Sequence, residues 1–140
     1  MNREPRIYVA GPYSKGDVAQ NVRKAIEVGN ALLDRGFVPF IPHLTHFWHL
    51  LCPHEYDEWM RYDEQWLRAC DCLYRIAGES NGSDIEVEVA STIFIIPVFY
   101  TLDDAAAWKD TKWDSIVSTQ RVNTIIEALK TTIVNIKEEE

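Results

Sequence analysis

Four short apolar runs punctuate the chain, and helical periodicity separates at least the first three of them. The runs are RIYVAG (6–11), FVPFIP (37–42), CLYRIA (72–77) and IIPVFY (95–100). Each is too short for a helix and is bounded by glycine, proline or polar residues, so each reads as a buried strand. Between the first two, Val18, Val22, Ala25, Ile26, Gly29, Leu32 and Leu33 recur at three- and four-residue steps. That is an amphipathic helix over 17–35, with Gly36 as its stop. A second helix over 57–70 carries Trp59, Tyr62, Trp66, Leu67 and Cys70 on one face. Pro39 cannot donate to a ladder, which places the second strand near a sheet edge.

The segment ESNGSDIEVEVA (79–90) admits two structures. Strict alternation of Ile85, Val87 and Val89 with Asp84, Glu86 and Glu88 fits a half-buried strand. Ser80-Asn81-Gly82 as a turn and Ser83 as N-cap fit a helix start. A strand here would deprive the third and fourth strands of the crossover that a parallel pair requires, so the helix is expected. The result is an α/β chain: a three-layer, flavodoxin-like parallel sheet of four or five strands with right-handed crossovers. We expect one domain over 1–140, with a core at 6–100 and a C-terminal extension at 101–140. The extension reads as a loop and at least one helix, with Thr131–Lys137 as a weak last strand or tail. His43–Tyr56, rich in His, Phe and Trp, reads as a long loop or broken helix.

Ligands of such sheets sit beyond the carboxyl ends of the strands, where the loops at 11–17, from His43 onward, and at 78–83 gather. Asp63 lies on the apolar stripe of its helix; an inward carboxylate is paired, hydrogen-bonded or protonated. It is either a structural partner of an Arg or backbone amide, or an acid facing a cavity. Glu86 is either the return half of a capping box on Ser83 or a carboxylate nucleophile near the helix dipole. GPYSKGD (11–17) is a strand-to-helix loop of the kind that cradles phosphates, without a Walker or dinucleotide fingerprint. His43, His46 and His49 stand at three-residue steps rather than the spacing of helical zinc ligands. No metal is expected, and a base-facing or capping role fits one of them better.

Composition narrows the partners. The 140 residues carry a net charge of −8, against a nucleic-acid polymer as partner, while one phosphate can still be held by backbone amides. No run approaches a membrane span. The opening MNREPR has no apolar core, so no secretory leader is expected. The three cysteines form no disulfide framework, and the expected compartment is the reducing cytoplasm.

IYVAGPYS, YDEQWLRACD and SNGSDIEVEVA, in this order and spacing, resemble the nucleoside 2-deoxyribosyltransferase and nucleotide N-glycosidase superfamily over about Arg6–Tyr100. The resemblance implies that Glu86 attacks the anomeric carbon, that Asp63 assists the departing base, and that Tyr8 orients the Glu86 carboxylate. No cofactor is implied. Members acting on free nucleosides tend to hold the 5′-hydroxyl with an acid where this chain has Ser80; a serine resembles the branch that hydrolyses nucleotides. The implied reaction is hydrolysis of the N-glycosidic bond of a nucleoside 5′-monophosphate, with base exchange by a deoxyribosyltransferase and an idle nucleotide-binding module as alternatives. Gly11, Ser14, Lys15, Gly16, Ser80 and Gly82 are the expected phosphate and sugar contacts. His43 and Phe47 are expected near the base, with Trp48 and Trp59 as further stacking candidates. Asp84 and Glu88 depart from the pattern: like charges near Glu86 would raise its pKa and oppose a phosphate. Five tryptophans exceed what so small a core centres, so a homodimer through the 57–70 helix and the catalytic helix is expected.

Overall fold

A computed structural model describes residues 3–139. They fall into two units: one of Glu4–Ala106, and one joining the N-terminal residues up to Arg3 to the segment from Ala107 onward. In the first, strands β1 (Arg6–Ala10), β2 (Val38–Phe40), β3 (Cys72–Arg75) and β4 (Val98–Phe99) form one parallel sheet in the order β2-β1-β3-β4. Helices α1 (Val18–Asp34), α3 (Tyr56–Arg68) and α4 (Asn81–Val89) connect the strands. This is the three-layer, flavodoxin-like architecture expected. Central strands β1 and β3 are buried at almost every position, as a parallel sheet covered on both faces requires.

β2 is an edge strand, and Pro39 takes its place opposite Ile7 without an N–H to donate. α1 starts where Asp17 caps it, the carboxylate accepting from the Gln20 N–H at 3.1 Å. It ends where Gly36 adopts φ 81° and its N–H bonds the Leu33 carbonyl, a left-handed stop that a Cβ would strain. Its buried face is Ala25, Val28, Gly29 and Leu32; Ile26 and Leu33, expected inside, are exposed. The segment after β2 is a broken helix: a 3₁₀ turn at Pro42–Thr45, then α2 at His46–Leu51. On the sheet face opposite α1, Tyr8, Ala10, Leu67, Cys70, Leu73 and Ala90 form a core cluster. Cys70 and Cys72 are buried free thiols and Cys52 is exposed.

Two expectations for the later part of the chain are corrected. The fourth strand is two residues long rather than six, because α4 runs on through a π-helical turn (Ala90–Phe94). That turn ends on Ile95, at φ 54°. In the second unit, Thr131–Lys137 is not a strand; it lies inside α6 (Asp114–Glu139). β-Branched residues made the segment look extended, but a lone strand has no ladder partner, whereas the helix satisfies its own backbone. α5 (Leu102–Trp108) precedes it. Within the second unit the Trp113 indole donates to the Arg3 carbonyl at 2.9 Å, and the Arg3 guanidinium lies 4.8 Å from the ring centre. No helix among the described residues is long and apolar enough to cross a membrane.

Candidate active site

α4 begins one turn earlier than its sequence suggests. Ser80 has extended backbone and its Oγ accepts from the Ser83 N–H at 3.2 Å, so Ser80, not Ser83, is the cap. The capping-box reading of Glu86 is thereby corrected: a box needs its acid at the third helical position, and Glu86 is the sixth. This depth also removes most of the helix-dipole support, which fades beyond the first turn. Instead the carboxylate is held from the sheet. The Tyr8 hydroxyl donates to Glu86 Oε1 at 2.6 Å. Tyr8 is fully buried on β1, its ring 5.6 Å from that of Phe40, so the donor is rigidly placed. Burial, followed by the repulsion of Glu86 and Asp63, raises the Tyr8 pKa well above its usual value. It therefore stays protonated and donating.

Burial pushes the Glu86 pKa up to about 7, opposed by the Tyr8 hydrogen bond, reinforced by the charge of Asp63 and again opposed by Arg75. Burial also pushes Asp63 up to about 7, and its Oδ1 is buried with no hydrogen-bond partner among the described residues. The structural pairing considered for Asp63 is absent at that oxygen. Two raised, mutually repelling carboxyls near neutrality hold about one proton between them.

Both line a cavity of about 510 Å³. It lies beyond the carboxyl ends of the strands, its walls drawn from the β1–α1 loop, the turn after β2, the β3–α4 loop and the inner faces of α3 and α4. Among the expected contacts, Gly11, Ser14, Lys15, His43, Ser80 and Gly82 line it. Tyr8 sits behind Glu86 rather than in the wall. Gly16 and Phe47 are not in the lining: Gly16 serves its turn at φ 81°, and Phe47 is 73% exposed. Of the three aromatic stacking candidates, only Trp59 reaches the cavity.

Close packing explains two of the glycines. A Cβ on Gly11 would stand 3.0 Å from that of Ile76, and one on Gly82 would stand 3.2 Å from the Tyr56 hydroxyl. His43 is buried, its Nε2 bonds the Pro12 carbonyl at 2.9 Å, and its Nδ1 has no partner among the described residues. Since a carbonyl only accepts, Nε2 carries the proton and Nδ1 is an acceptor. Burial lowers the His43 pKa, which keeps the ring neutral. Lys15 is engaged by Glu79, another cavity-lining residue.

Several residues were not singled out from sequence. Arg75, at the end of β3, is buried; its guanidinium donates to the carbonyls of Ile76 and Gly78 and to Asp84 Oδ1, the last two each at 2.9 Å. The concern over Asp84 is resolved by this ion pair: the acid that raises Glu86 is Asp63, and Glu88 is exposed. A charged residue inside the strand-like run CLYRIA was the available signal. Tyr13, bonded to His46 Nδ1 at 2.6 Å, is another; His49, one of the histidines noted in the sequence, accepts from the Trp59 indole at 2.9 Å, and both line the cavity. Of the four histidines, His54 contacts Glu58 at 3.2 Å. Among the described residues no group of three or more His, Cys, Asp or Glu side chains is placed to hold a metal.

The chain is similar in structure to the 2-deoxyribosyltransferase from the psychrotolerant bacterium Bacillus psychrosaccharolyticus. The match has a TM-score of 0.50 and 22% identity, and it covers 66% of this chain and 69% of that one. At that identity the likeness shows the fold, and it bears out the deoxyribosyltransferase-like architecture that the three motifs implied. No curated protein matches the sequence. Residues 5–100, which hold the whole sheet and every cavity-lining residue, match the family described as "Domain of unknown function (DUF7768)", and the chain belongs to that family.

Proposed function

We propose that this protein hydrolyses the N-glycosidic bond of a nucleoside 5′-monophosphate, with a 2-deoxy sugar as the preferred class, through a covalent glycosyl-Glu86 intermediate. The observation that carries the reading is the Tyr8–Glu86 hydrogen bond at 2.6 Å in one cavity with the Asp63 carboxyl, whose buried Oδ1 has no partner among the described residues. Glu86, ionised and aimed by Tyr8, attacks the anomeric carbon as the C–N bond breaks. Asp63 holds the shared proton and delivers it to the departing base. Asp63, now ionised, takes a proton from water; the resulting hydroxide displaces Glu86 and releases the sugar phosphate. The proton count returns to its starting state. These steps call on no metal or redox group.

Trp59 offers an aromatic face to the base, and the neutral His43 ring lines the same cavity. The 5′-phosphate would meet the Gly11–Gly16 loop, Lys15 and the first turn of α4, whose free amides favour an anion. Glu86 lines the cavity and caps nothing, which supports an enzyme over an idle binding module.

One observation favours a second reading. Glu79 lines the cavity in contact with Lys15, and a carboxylate there suits the 5′-hydroxyl of a free nucleoside, as a base-exchanging deoxyribosyltransferase would need. Incubation with a panel of nucleosides and 5′-monophosphates, with and without an acceptor base, separates the two by chromatography. Free base from monophosphates at tenfold or more the rate from nucleosides is expected, since a charge-assisted contact contributes about 1.5–3 kcal/mol. Equal rates, or exchange outrunning release, would replace the hydrolase with the transferase.

A further inference from the structure

The second unit carries an apolar stripe that the rest of that unit leaves uncovered. Every residue from Ser118 to Ile136 of α6 is exposed. Within that stretch Val122, Ile126, Leu129, Ile133 and Ile136 recur at steps of four, three, four and three, each 43–57% exposed. That is a heptad seam of period 3.5, with Ile126 and Ile133 at a and Val122, Leu129 and Ile136 at d. The same segment is a poor helix former by itself. It is dense in isoleucine, valine and threonine, and the Thr124, Thr131 and Thr132 hydroxyls bond carbonyls four residues back. Such residues disfavour an isolated helix in water, where helices draw most of their stability from packing an apolar face. A long helix of this composition needs a partner along its seam.

We propose that α6 pairs with α6 of a second copy of this chain as a parallel, two-stranded coiled coil. Isoleucine at both a positions with leucine at the central d position favours two parallel strands, although the outer d positions, Val122 and Ile136, are β-branched. The area fits a homotypic partner. At roughly 100 Å² for each large aliphatic side chain, two seams remove about 1,000 Å² from water. Ile125, at the flanking g position, brings this to about 1,200 Å², the lower edge of specific interfaces. This surface differs from the α3 and α4 faces expected from the tryptophan content, and it does not depend on the proposed chemistry.

Sedimentation velocity of the full chain at micromolar concentration should give twice the chain mass. Ile126→Asp/Ile133→Asp should give a monomer with the circular dichroism of the sheet unit retained. In a Cys52→Ser background, Ile136→Cys should cross-link to dimer on mild oxidation, because only a parallel, in-register pair brings the two copies of position 136 together. A wild-type monomer, including one that floats with phosphatidylcholine vesicles and so assigns the seam to lipid, would overturn the proposal. A dimer that survives the double aspartate variant would place the interface elsewhere. A dimer in which Ile136→Cys fails to cross-link would refute the parallel arrangement.

Discussion

Replacing Tyr8 by phenylalanine deletes one oxygen from a fully buried side chain and, with it, the 2.6 Å hydrogen bond to Glu86 Oε1. The ring and its contact with Phe40 remain. A hydrogen bond to a charged group is worth about 1.5–3 kcal/mol, which corresponds to roughly one to two pKa units. The bond favours the ionised form, so its loss raises the Glu86 pKa further from about 7. The ionised fraction at neutral pH falls from about a half to between about 1% and 10%. Nucleophilic turnover at pH 7 should fall by a similar factor, and the acid limb of the pH–rate profile should move upward by one to two units, with partial recovery at pH 9. Carbon-13 NMR of the Glu86 carboxyl reads the same shift without any substrate. A titration of Glu86 that does not move in the Tyr8→Phe protein would refute the claim that the sheet, rather than the helix terminus, holds the charge.

Three further outcomes are expected. Asp63→Asn should slow substrates with poor leaving groups by about 10²–10⁴-fold, the usual range for general acid catalysis, and spare those whose base departs unaided; equal losses on both would remove Asp63 from the acid role. Glu86→Gln should stabilise the protein at pH 8 and leave it nearly unchanged at pH 4. The folded pKa of Glu86 is raised from 4.5 to about 7, so its stability contribution is full below about 4.5 and is lost as pH rises through 7. The difference is on the order of a few kcal/mol, and thermal melts against pH would read it. Arg75→Met should free Asp84, remove a cation that favours ionised Glu86 and shift the Glu86 titration upward; an unmoved titration would leave Arg75 as a loop strut alone.

The parts of the fold legible in the sequence are those where local chemistry and tertiary need agree. Asp17 and Gly36 bound α1 because cap and left-handed stop are local requirements, and Pro39 marks an edge because it lacks an N–H. The helical state of Glu86 was not local at all. It followed from topology, since alternation of Ile85, Val87 and Val89 fits a strand equally well. Ser80 and Ser83 are both competent caps three residues apart, so the phase of α4 stayed hidden, and with it the distance of Glu86 from the helix terminus. The Lys15–Glu79 and Arg75–Asp84 pairs were illegible because they join residues from different elements or turns. At Thr131–Lys137, β-branched composition pointed to a strand where the backbone forms a helix whose apolar side is left exposed.

The central claim is the covalent bond at Glu86, and acid-quenched intact-protein mass spectrometry tests it most directly. The Asp63→Asn protein is mixed with a 2′-deoxynucleoside 5′-monophosphate bearing an activated base. Glycosylation then needs no acid, while hydrolysis of the intermediate loses its general base. The account predicts an adduct of one deoxyribose phosphate, mapped by peptide sequencing to Glu86 and absent from Asp63→Asn/Glu86→Gln. Base release that continues in Glu86→Gln, with no adduct on Glu86 in either protein, would contradict it.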